Sequence, residues 1–187
     1  MPRPILFMKT GIIEAEPSGF YQALANVFDA ALITPDAIRL ELNGGEFSRR
    51  KSLTRAVTHE ARERTCVALL AGSSVVYNGF LNTRRGRETM RTEVAQLAGA
   101  AAVLLSVRAS RSLINFRIRE RHAQGKLNIP SEHLPDITRT LAIAHSMART
   151  TEWPAQDEPA LQLDGSLPVL ALLEEVVAYT QQLPEAV

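Results

Sequence analysis

The sequence of 187 residues has a single cysteine, few aromatic residues and almost no net charge. Because Cys66 alone cannot form an internal disulfide, we expect a protein of the reducing cytoplasm. With 5% aromatic residues and a formal net charge of +1, the chain has no basic stripe interleaved with aromatic residues for nucleic acid. No apolar run approaches the ~18 residues of a membrane span. We therefore expect no membrane partner, and the short N-terminal apolar stretch predicts no signal peptide.

Lysine is also scarce, since only Lys9, Lys51 and Lys126 among the 21 basic residues are lysines. The planar fork of arginine suits phosphate recognition. A coding bias toward arginine and alanine gives the same composition, and composition alone favours that explanation. Hydrophobic residues at 45% and charged residues at 22% are ordinary for a globular protein. The length indicates one domain, residues 1–187.

Short apolar runs alternate with helical patterns along the whole chain. Strands are predicted at 4–10, 31–34, 74–77, 101–107 and 161–163. Helices are predicted at 18–29, 36–42, 52–71, 83–98, 110–124, 131–149 and 166–183. This alternation predicts an α/β fold with a five-stranded parallel sheet and helices on both of its faces. In such sheets ligands bind at the carboxyl ends of the strands.

The first strand ends in a loop that opens on a glycine and reads Gly-Ile-Ile-Glu-Ala-Glu-Pro-Ser-Gly from Gly11 to Gly19. A phosphate-binding loop has a glycine, four variable residues, a second glycine, a lysine, and a serine or threonine. Gly11 and Ser18 match this pattern, whereas Glu16 takes the place of the second glycine and Pro17 that of the lysine. The stretch thus resembles the Walker A loop of small P-loop kinases, in a degenerate form. That resemblance implies a three-layer kinase-like fold and phosphate binding at Gly11, Ser18 and Gly19.

The departures from this pattern weaken phosphate binding. Pro17 has neither an N–H nor a charge, so a charge-assisted hydrogen bond worth roughly 1.5–3 kcal/mol is lost. A carboxylate about 5 Å from a phosphate charge costs on the order of 3 kcal/mol at an effective dielectric near 20, and Glu14 and Glu16 both contribute. Together these losses lower the affinity for phosphate by a factor of at least ~10³. We therefore expect conventional Mg-ATP binding to be lost.

The same loop residues suit a helix that begins without a ligand. Pro17 fits the first position of a helix, and Glu16 before it complements the helix dipole. One hypothesis is that the protein's own carboxylate satisfies the helix N-terminus. The competing hypothesis is that a displaced cation, Lys9 or an arginine within 117–121, reaches the loop. For Lys9 the sequence favours an ordinary lysine at a strand end.

The segment after the second strand, Thr34 to Leu40, resembles that of zeta-toxin-like and polynucleotide-kinase-like phosphotransferases. The resemblance implies that Asp36 is the base that accepts the proton of a substrate hydroxyl and that Arg39 helps to hold the substrate. A carboxylate at a strand end is well placed to orient a hydroxyl for phosphoryl transfer. The alternative is that Asp36 caps the helix it begins. The residues alone favour the cap. When the resemblance is included, the two explanations are equally well supported.

Two further segments resemble the same family. After the third strand, Asn78 takes the place of the family aspartate, and Arg84 and Arg85 follow at a helix start that often carries substrate-binding arginines. The alternative for at least one of Arg84, Arg85 and Arg87 is a solvated helix face. In the stretch 110–130, which resembles the lid helix, the implied phosphate-binding residues are Arg117 and Arg121, four apart on one helical face.

Three functions are consistent with these residues. The first is a degenerate kinase, a pseudoenzyme that has lost conventional Mg-ATP binding and binds a protein partner or a phosphate-bearing ligand, such as a nucleotide or a nucleic-acid end. The second is an active phosphotransferase with a rearranged donor site, which would use ATP and Mg²⁺ with Ser18 as a metal ligand and requires a cation near Ser18. The third is an interaction module whose vestigial cleft is blocked by its own side chains. In the first case the ligand binds where five charged residues are retained: Asp36, Arg39, Arg84, Arg117 and Arg121.

Overall fold

A computed structural model describes residues 3–48, 50–124 and 136–183. The parallel strands are β1 Ile5–Gly11, β2 Ala31–Ile33, β3 Val75–Phe80, β4 Ala101–Arg108 and β5 Leu161–Asp164. The helices are α1 Phe20–Val27, α2 Pro35–Leu42, α3 Lys51–Leu70, α4 Arg84–Thr89, α5 Arg111–Ala123, α6 Ile137–Thr150 and α7 Val169–Thr180. The chain continues from α4 through the π-helix Met90–Gln96 without a break.

The strands form one sheet in the order β2-β3-β1-β4-β5, which confirms the predicted five-stranded parallel sheet. Strand β1 lies in the middle and pairs with β3 and β4, so its backbone is bonded on both sides. Six of its seven residues are buried, as expected of a central parallel strand. The carboxyl end of β1 is therefore the centre of the edge where ligands bind in such folds.

Apolar side chains cover both faces of the sheet, as the sequence predicts. Phe7 on β1 packs with Leu24 of α1 in one core. Its neighbours Leu6 and Met8 point to the other face and pack with Leu69 of α3. The alternation along β1 thus divides the apolar residues between two cores that share one sheet.

A break in strand pairing lies beside the candidate site. Met8 pairs with Tyr77, but Lys9 pairs with Phe80, so Asn78 and Gly79 are left out of the ladder. The extra residues form a bulge, which re-aims the side chains around it. Glycine is required at 79, because a Cβ there would lie 2.6 Å from the Tyr77 ring and 2.7 Å from Cγ of Pro35. The bulge brings Phe80 beside Lys9.

Several predicted helix boundaries are wrong. Helix α1 begins at Phe20 rather than at Pro17 or Ser18, because Gly19 precedes it in a left-handed conformation with φ 82°. The last helix begins at Val169 instead of Ser166. For the predicted helix 131–149, residues 131–135 lie outside the described residues, as does the 125–130 part of the lid-like stretch, and α6 begins after Asp136. Within the described ranges, no helix combines the length and the apolar character needed to cross a bilayer.

Candidate functional site

The loop from Gly11 to Gly19 leaves the carboxyl end of β1, where the sequence predicts a ligand site. Gly11 is the last strand residue and has φ 152°. A Cβ at this position would lie 2.9 Å from the carbonyl oxygen of Val107 on β4. Glycine is therefore needed for the close approach of the two strands, whatever the loop binds.

The Asn82 side chain holds this strand end, although no motif in the sequence singles it out. Its amide oxygen accepts hydrogen bonds from the Thr10 hydroxyl at 3.2 Å and from the Gly11 N–H at 3.1 Å. Its amide nitrogen donates to the Gly11 carbonyl at 2.9 Å. Asn82 thus fixes the backbone from which the loop departs.

Lys9 is a buried cation of the site rather than an ordinary strand-end lysine, so that prediction is wrong. The residue is 5% exposed. Its Nζ lies 3.3 Å from Oε1 of Glu16, 4.5 Å from the centre of the Tyr21 ring and 4.0 Å from that of Phe80. An ammonium over ring faces is stabilised by the ring quadrupoles. Lys9 therefore reaches the loop, where its charge is paired with Glu16, and a displaced cation that rescues the phosphate site stays a prediction.

A second cation, Arg121 of α5, also reaches the loop. One guanidinium nitrogen lies 2.9 Å from Oε1 of Glu14, and the other donates to the Ser18 hydroxyl at 3.0 Å. Glu14 has φ 61°, a left-handed conformation that is uncommon outside glycine. Burial raises the pKa of the Glu14 carboxyl above its usual value, and the Arg121 guanidinium opposes that shift. The loop thus places one carboxylate on each of two cations.

Arg117, which lies one helical turn before Arg121, contacts the loop differently. It donates to the carbonyl oxygens of Glu14 at 3.3 Å and Ala15 at 2.7 Å, and to that of Gly165 at 2.8 Å. Three carbonyl oxygens, from the loop and the end of β5, thus share this guanidinium. In this structure Arg117 holds backbone, whereas the sequence predicts that it binds phosphate.

The structure contradicts the hypothesis that a carboxylate satisfies the N-terminus of α1. Glu14 and Glu16 are paired with cations. The residue that caps α1 is Gly19, which has no side chain to accept a hydrogen bond, and the first turn carries no acidic residue. Pro17 lies before the helix, so it does not occupy the predicted first position.

A cavity of about 940 Å³ opens beside the loop. Asp36 and Asn78, two of the predicted substrate-side residues, line it together with Ser18, Gly19 and Arg121. The carboxyl ends of β1, β2 and β3 bring these residues to one edge of the sheet. Most of the remaining wall is apolar or aromatic, from Ile13, Phe20, Tyr21, Leu32, Pro35, Leu40, Phe80 and Ile143.

Asp36 is the second residue of α2, whose N-cap is Thr34, so Asp36 lies in the first turn without being the cap. Its side chain is 59% exposed, and Oδ1 lies 3.7 Å from Nε of Arg39. The explanation that Asp36 caps the helix is therefore wrong, although its charge complements the helix dipole. Its side chain also lines the cavity, and its role toward a substrate hydroxyl stays a prediction.

Three predicted substrate arginines do not line this cavity. Arg39 is buried and donates to the Ser48 carbonyl at 2.9 Å and the Thr54 hydroxyl at 3.3 Å. Arg84 forms an exposed ion pair with Asp157 at 2.6 Å. Arg85 is exposed on α4. The structure therefore brings Asp36 and Arg121 to the cavity but does not gather the five retained charges around one ligand.

Arg87, for which the alternative was a solvated helix face, is instead a fully buried residue. Its guanidinium donates to both carboxylate oxygens of Glu158, at 2.7 and 2.6 Å, and to the Leu81 and Glu152 carbonyls at 3.1 and 2.8 Å. Arg91 also pairs with Glu158, at 2.8 Å. These hydrogen bonds lower the pKa of Glu158. The network joins α4 to the segment before β5.

The sheet order and the loop at the end of β1 define a P-loop kinase-like fold. No protein-family model and no curated protein matches the sequence. Among solved structures, a presumed kinase from Chloroflexus aurantiacus is similar with a TM-score of 0.73 at 21% identity, over 97% of this chain and 100% of that one. The APS kinase CysC of Mycobacterium tuberculosis is similar with a TM-score of 0.66 at 12% identity, over 97% and 100%. A gluconokinase from Sinorhizobium meliloti gives 0.62 at 18% identity, over 97% and 98%.

Proposed function

We propose that this chain is a degenerate P-loop kinase-like protein, a pseudoenzyme that has lost conventional Mg-ATP binding and binds a phosphate-bearing small molecule in its cavity. The observation that carries the proposal is the pairing of Lys9 with Glu16 and of Arg121 with Glu14. Each of these two cations is neutralised by a carboxylate of the loop itself. A triphosphate would have to displace both carboxylates, and it would find Pro17 where a lysine normally stands.

The residues of the loop fit an Mg-ATP group poorly for a second reason. The Ser18 hydroxyl, the position that would hold Mg²⁺, accepts a hydrogen bond from Arg121. Asn78 is neutral where the zeta-toxin-like and polynucleotide-kinase-like resemblance places an aspartate, and Mg²⁺ prefers carboxylate oxygens. A guanidinium beside the hydroxyl also repels a divalent cation.

The cavity supports the ligand-binding half of the proposal. Its volume of about 940 Å³ lies within the range of small-molecule sites, which are mostly apolar with a few placed polar groups. Lys9 and Arg121 are the basic residues of its described lining. An open cavity also gives no support to the third function, an interaction module whose cleft is blocked.

Thermal stability in the presence of Mg-ATP tests the loss of ATP binding. A ligand at ~100 times its dissociation constant adds about 2.7 kcal/mol of stability. We expect millimolar Mg-ATP to leave the melting temperature of the wild type and of Ser18→Ala unchanged. The control is Ser73→Ala, which removes an exposed hydroxyl away from the loop. Stabilisation by Mg-ATP that disappears in Ser18→Ala but persists in Ser73→Ala would overturn the proposal.

The second candidate is the phosphotransferase with a rearranged donor site, and one observation favours it. Arg121 supplies the cation that this function requires near Ser18, at 3.0 Å from its hydroxyl oxygen. Its substrate hydroxyl would be oriented by Asp36. Turnover of ATP to ADP that is abolished in Asp36→Asn would establish this candidate in place of the first.

A further inference from the structure

The cavity has a distinct end built around Lys9. The described contacts of its Nζ are one hydrogen bond to Glu16, at 3.3 Å, and two ring faces, those of Tyr21 and Phe80. An ammonium has three N–H donors, and 3.3 Å lies at the long end of the hydrogen-bond range. Lys9 can therefore donate further hydrogen bonds to a ligand in the cavity.

The two members of the Lys9–Glu16 pair differ in how they are held. Lys9 is on the central strand, and the two rings stabilise its charge whether or not a carboxylate is present. Glu16 is on the loop, outside helix and strand. The glutamate is thus the exchangeable member of the pair, since its removal leaves the ammonium on its ring faces.

The lining that Lys9 shares with its apolar neighbours favours an apolar group. The bulge in β3 places Phe80 beside Lys9, while Leu32, Leu40 and Ile143 line the same cavity. Two other acidic residues of the lining interact less directly with Lys9. Glu14 interacts with the charge of Lys9, but its ion-pair partner is Arg121. The Asp36 side chain is 59% exposed, so water screens its charge.

We propose that the cavity binds a small molecule with an apolar body and one anionic group, and that this anion pairs with Lys9 in place of Glu16. The anion is a phosphate monoester, as the phosphate-bearing ligand of the proposed function requires, and its oxygens accept hydrogen bonds from an ammonium. The inference rests on the proposed function, because it names the ligand class for the same cavity. It makes Lys9, on the strand, the anion-binding cation of the site.

Binding of aromatic anions to the full chain tests this inference, with dissociation constants measured by protein-observed NMR titration. The probes are phenyl phosphate and benzoate, with neutral benzyl alcohol and inorganic phosphate for comparison. We expect phenyl phosphate to bind more tightly than benzoate and than both comparison molecules. Tighter binding of benzoate would overturn the phosphate group of this ligand. Failure of both aromatic anions to bind would overturn the inference.

Variants of the pair decide whether Lys9 is the residue involved. Glu16→Gln removes the competing carboxylate, and we expect the aromatic anion to bind about tenfold more tightly. The double variant Lys9→Met with Glu16→Gln leaves no buried charge unpaired, so it should fold, and it should bind at least about tenfold more weakly than Glu16→Gln alone. Glu93→Gln, an exposed glutamate on the π-helix, is the matched control and should bind as the wild type does.

The outcomes separate this inference from the proposed function. Equal affinity in Glu16→Gln and in the double variant would place the anion elsewhere and overturn the role of Lys9, while loss of ATP binding would still stand. Stabilisation by Mg-ATP through Ser18 would instead overturn the proposed function, and the Lys9 result would be unaffected.

Discussion

A carboxylate that is shielded from water beside the loop needs a cation, and Glu14 has one in Arg121 at 2.9 Å. The pairing does not fully compensate for burial, because the pKa of Glu14 is still raised, with desolvation as the largest cause. A raised pKa in the folded state means that folding favours the protonated carboxyl. That stabilisation is fully present below the usual value of 4.5 and is lost as the pH rises through the folded value. At neutral pH the ionised Glu14 therefore opposes folding.

We accordingly predict that Glu14→Gln raises the melting temperature at pH 7. The gain should shrink as the pH falls through the raised folded value and should disappear below 4.5, where the wild-type carboxyl is protonated in both the folded and the unfolded state. Melting curves of both proteins from pH 3 to pH 8 measure the difference, with Glu174→Gln as an exposed control. A lower melting temperature for Glu14→Gln at pH 7 would mean that the ion pair with Arg121 outweighs the cost of burial.

Among the elements, α4 and its π-helical continuation depend on a buried ion pair. The side chains of Arg87 and Glu158 are 1% and 3% exposed, so each charge relies on the other. The π turn keeps the helix going while Arg91 reaches the same carboxylate as Arg87. Breaking such a pair on one side is strongly destabilising, because an uncompensated charge is left inside the protein.

We predict that Glu158→Gln lowers the free energy of unfolding by about 3–5 kcal/mol at pH 7, as measured by urea denaturation. The control is Asp157→Asn, which removes the neighbouring exposed ion pair with Arg84 and should change little. Arg87 lowers the pKa of Glu158, so this stabilisation is present above the usual value of 4.5 and is lost as the pH falls through the lower folded value. Equal costs for the two variants would contradict the importance of burial.

The elements themselves were largely predictable because each strand is a short apolar run, and the five predicted strands all form. What could not be predicted are features decided by single backbone conformations. Gly19 delays the start of α1, and the bulge at Asn78 and Gly79 depends on a glycine that fits against the Tyr77 ring and Pro35 of α2. These depend on tertiary contacts, which apolar periodicity does not encode.

The candidate site was predictable in position but not in its pairing. Ser18 and Asp36 follow strands, and Asn78, predicted to follow the third strand, lies inside β3 at its bulge. The carboxyl ends of parallel strands meet at one edge, so these residues line one cavity. The partners of Glu16 and Glu14 are seven and 107 residues away in sequence. Sequence spacing carries no information on such distances, so Arg117 was expected at a phosphate and is found on carbonyl oxygens.

For the whole molecule, the two apolar cores lie on opposite faces of the same sheet, and β1 contributes to both. Loss of the sheet would expose both cores together. The single-domain organisation remains a prediction, and it requires that both cores unfold cooperatively.

We therefore predict one cooperative unfolding transition in urea. Trp153, the only tryptophan, lies against Arg108 at the end of β4, with 4.6 Å between the guanidinium and the ring centre. Its fluorescence reports on that edge of the sheet, whereas far-ultraviolet circular dichroism reports on all the helices. The two curves should have the same midpoint. Separate midpoints would show that the chain contains independently unfolding parts.

The pairing of Glu16 with Lys9 and of Glu14 with Arg121 has an evolutionary consequence. Replacing one member of either pair changes the charge balance around the other, so the effect of each substitution depends on the residue at its partner position. A return to a glycine-lysine loop would need changes at Glu16 and Pro17, and the first of these alone removes the carboxylate partner of Lys9. Because the substitution at Glu16 disturbs an ion pair, the present loop is difficult to reverse by single mutations. The four residues are therefore expected to change together among descendants of this chain.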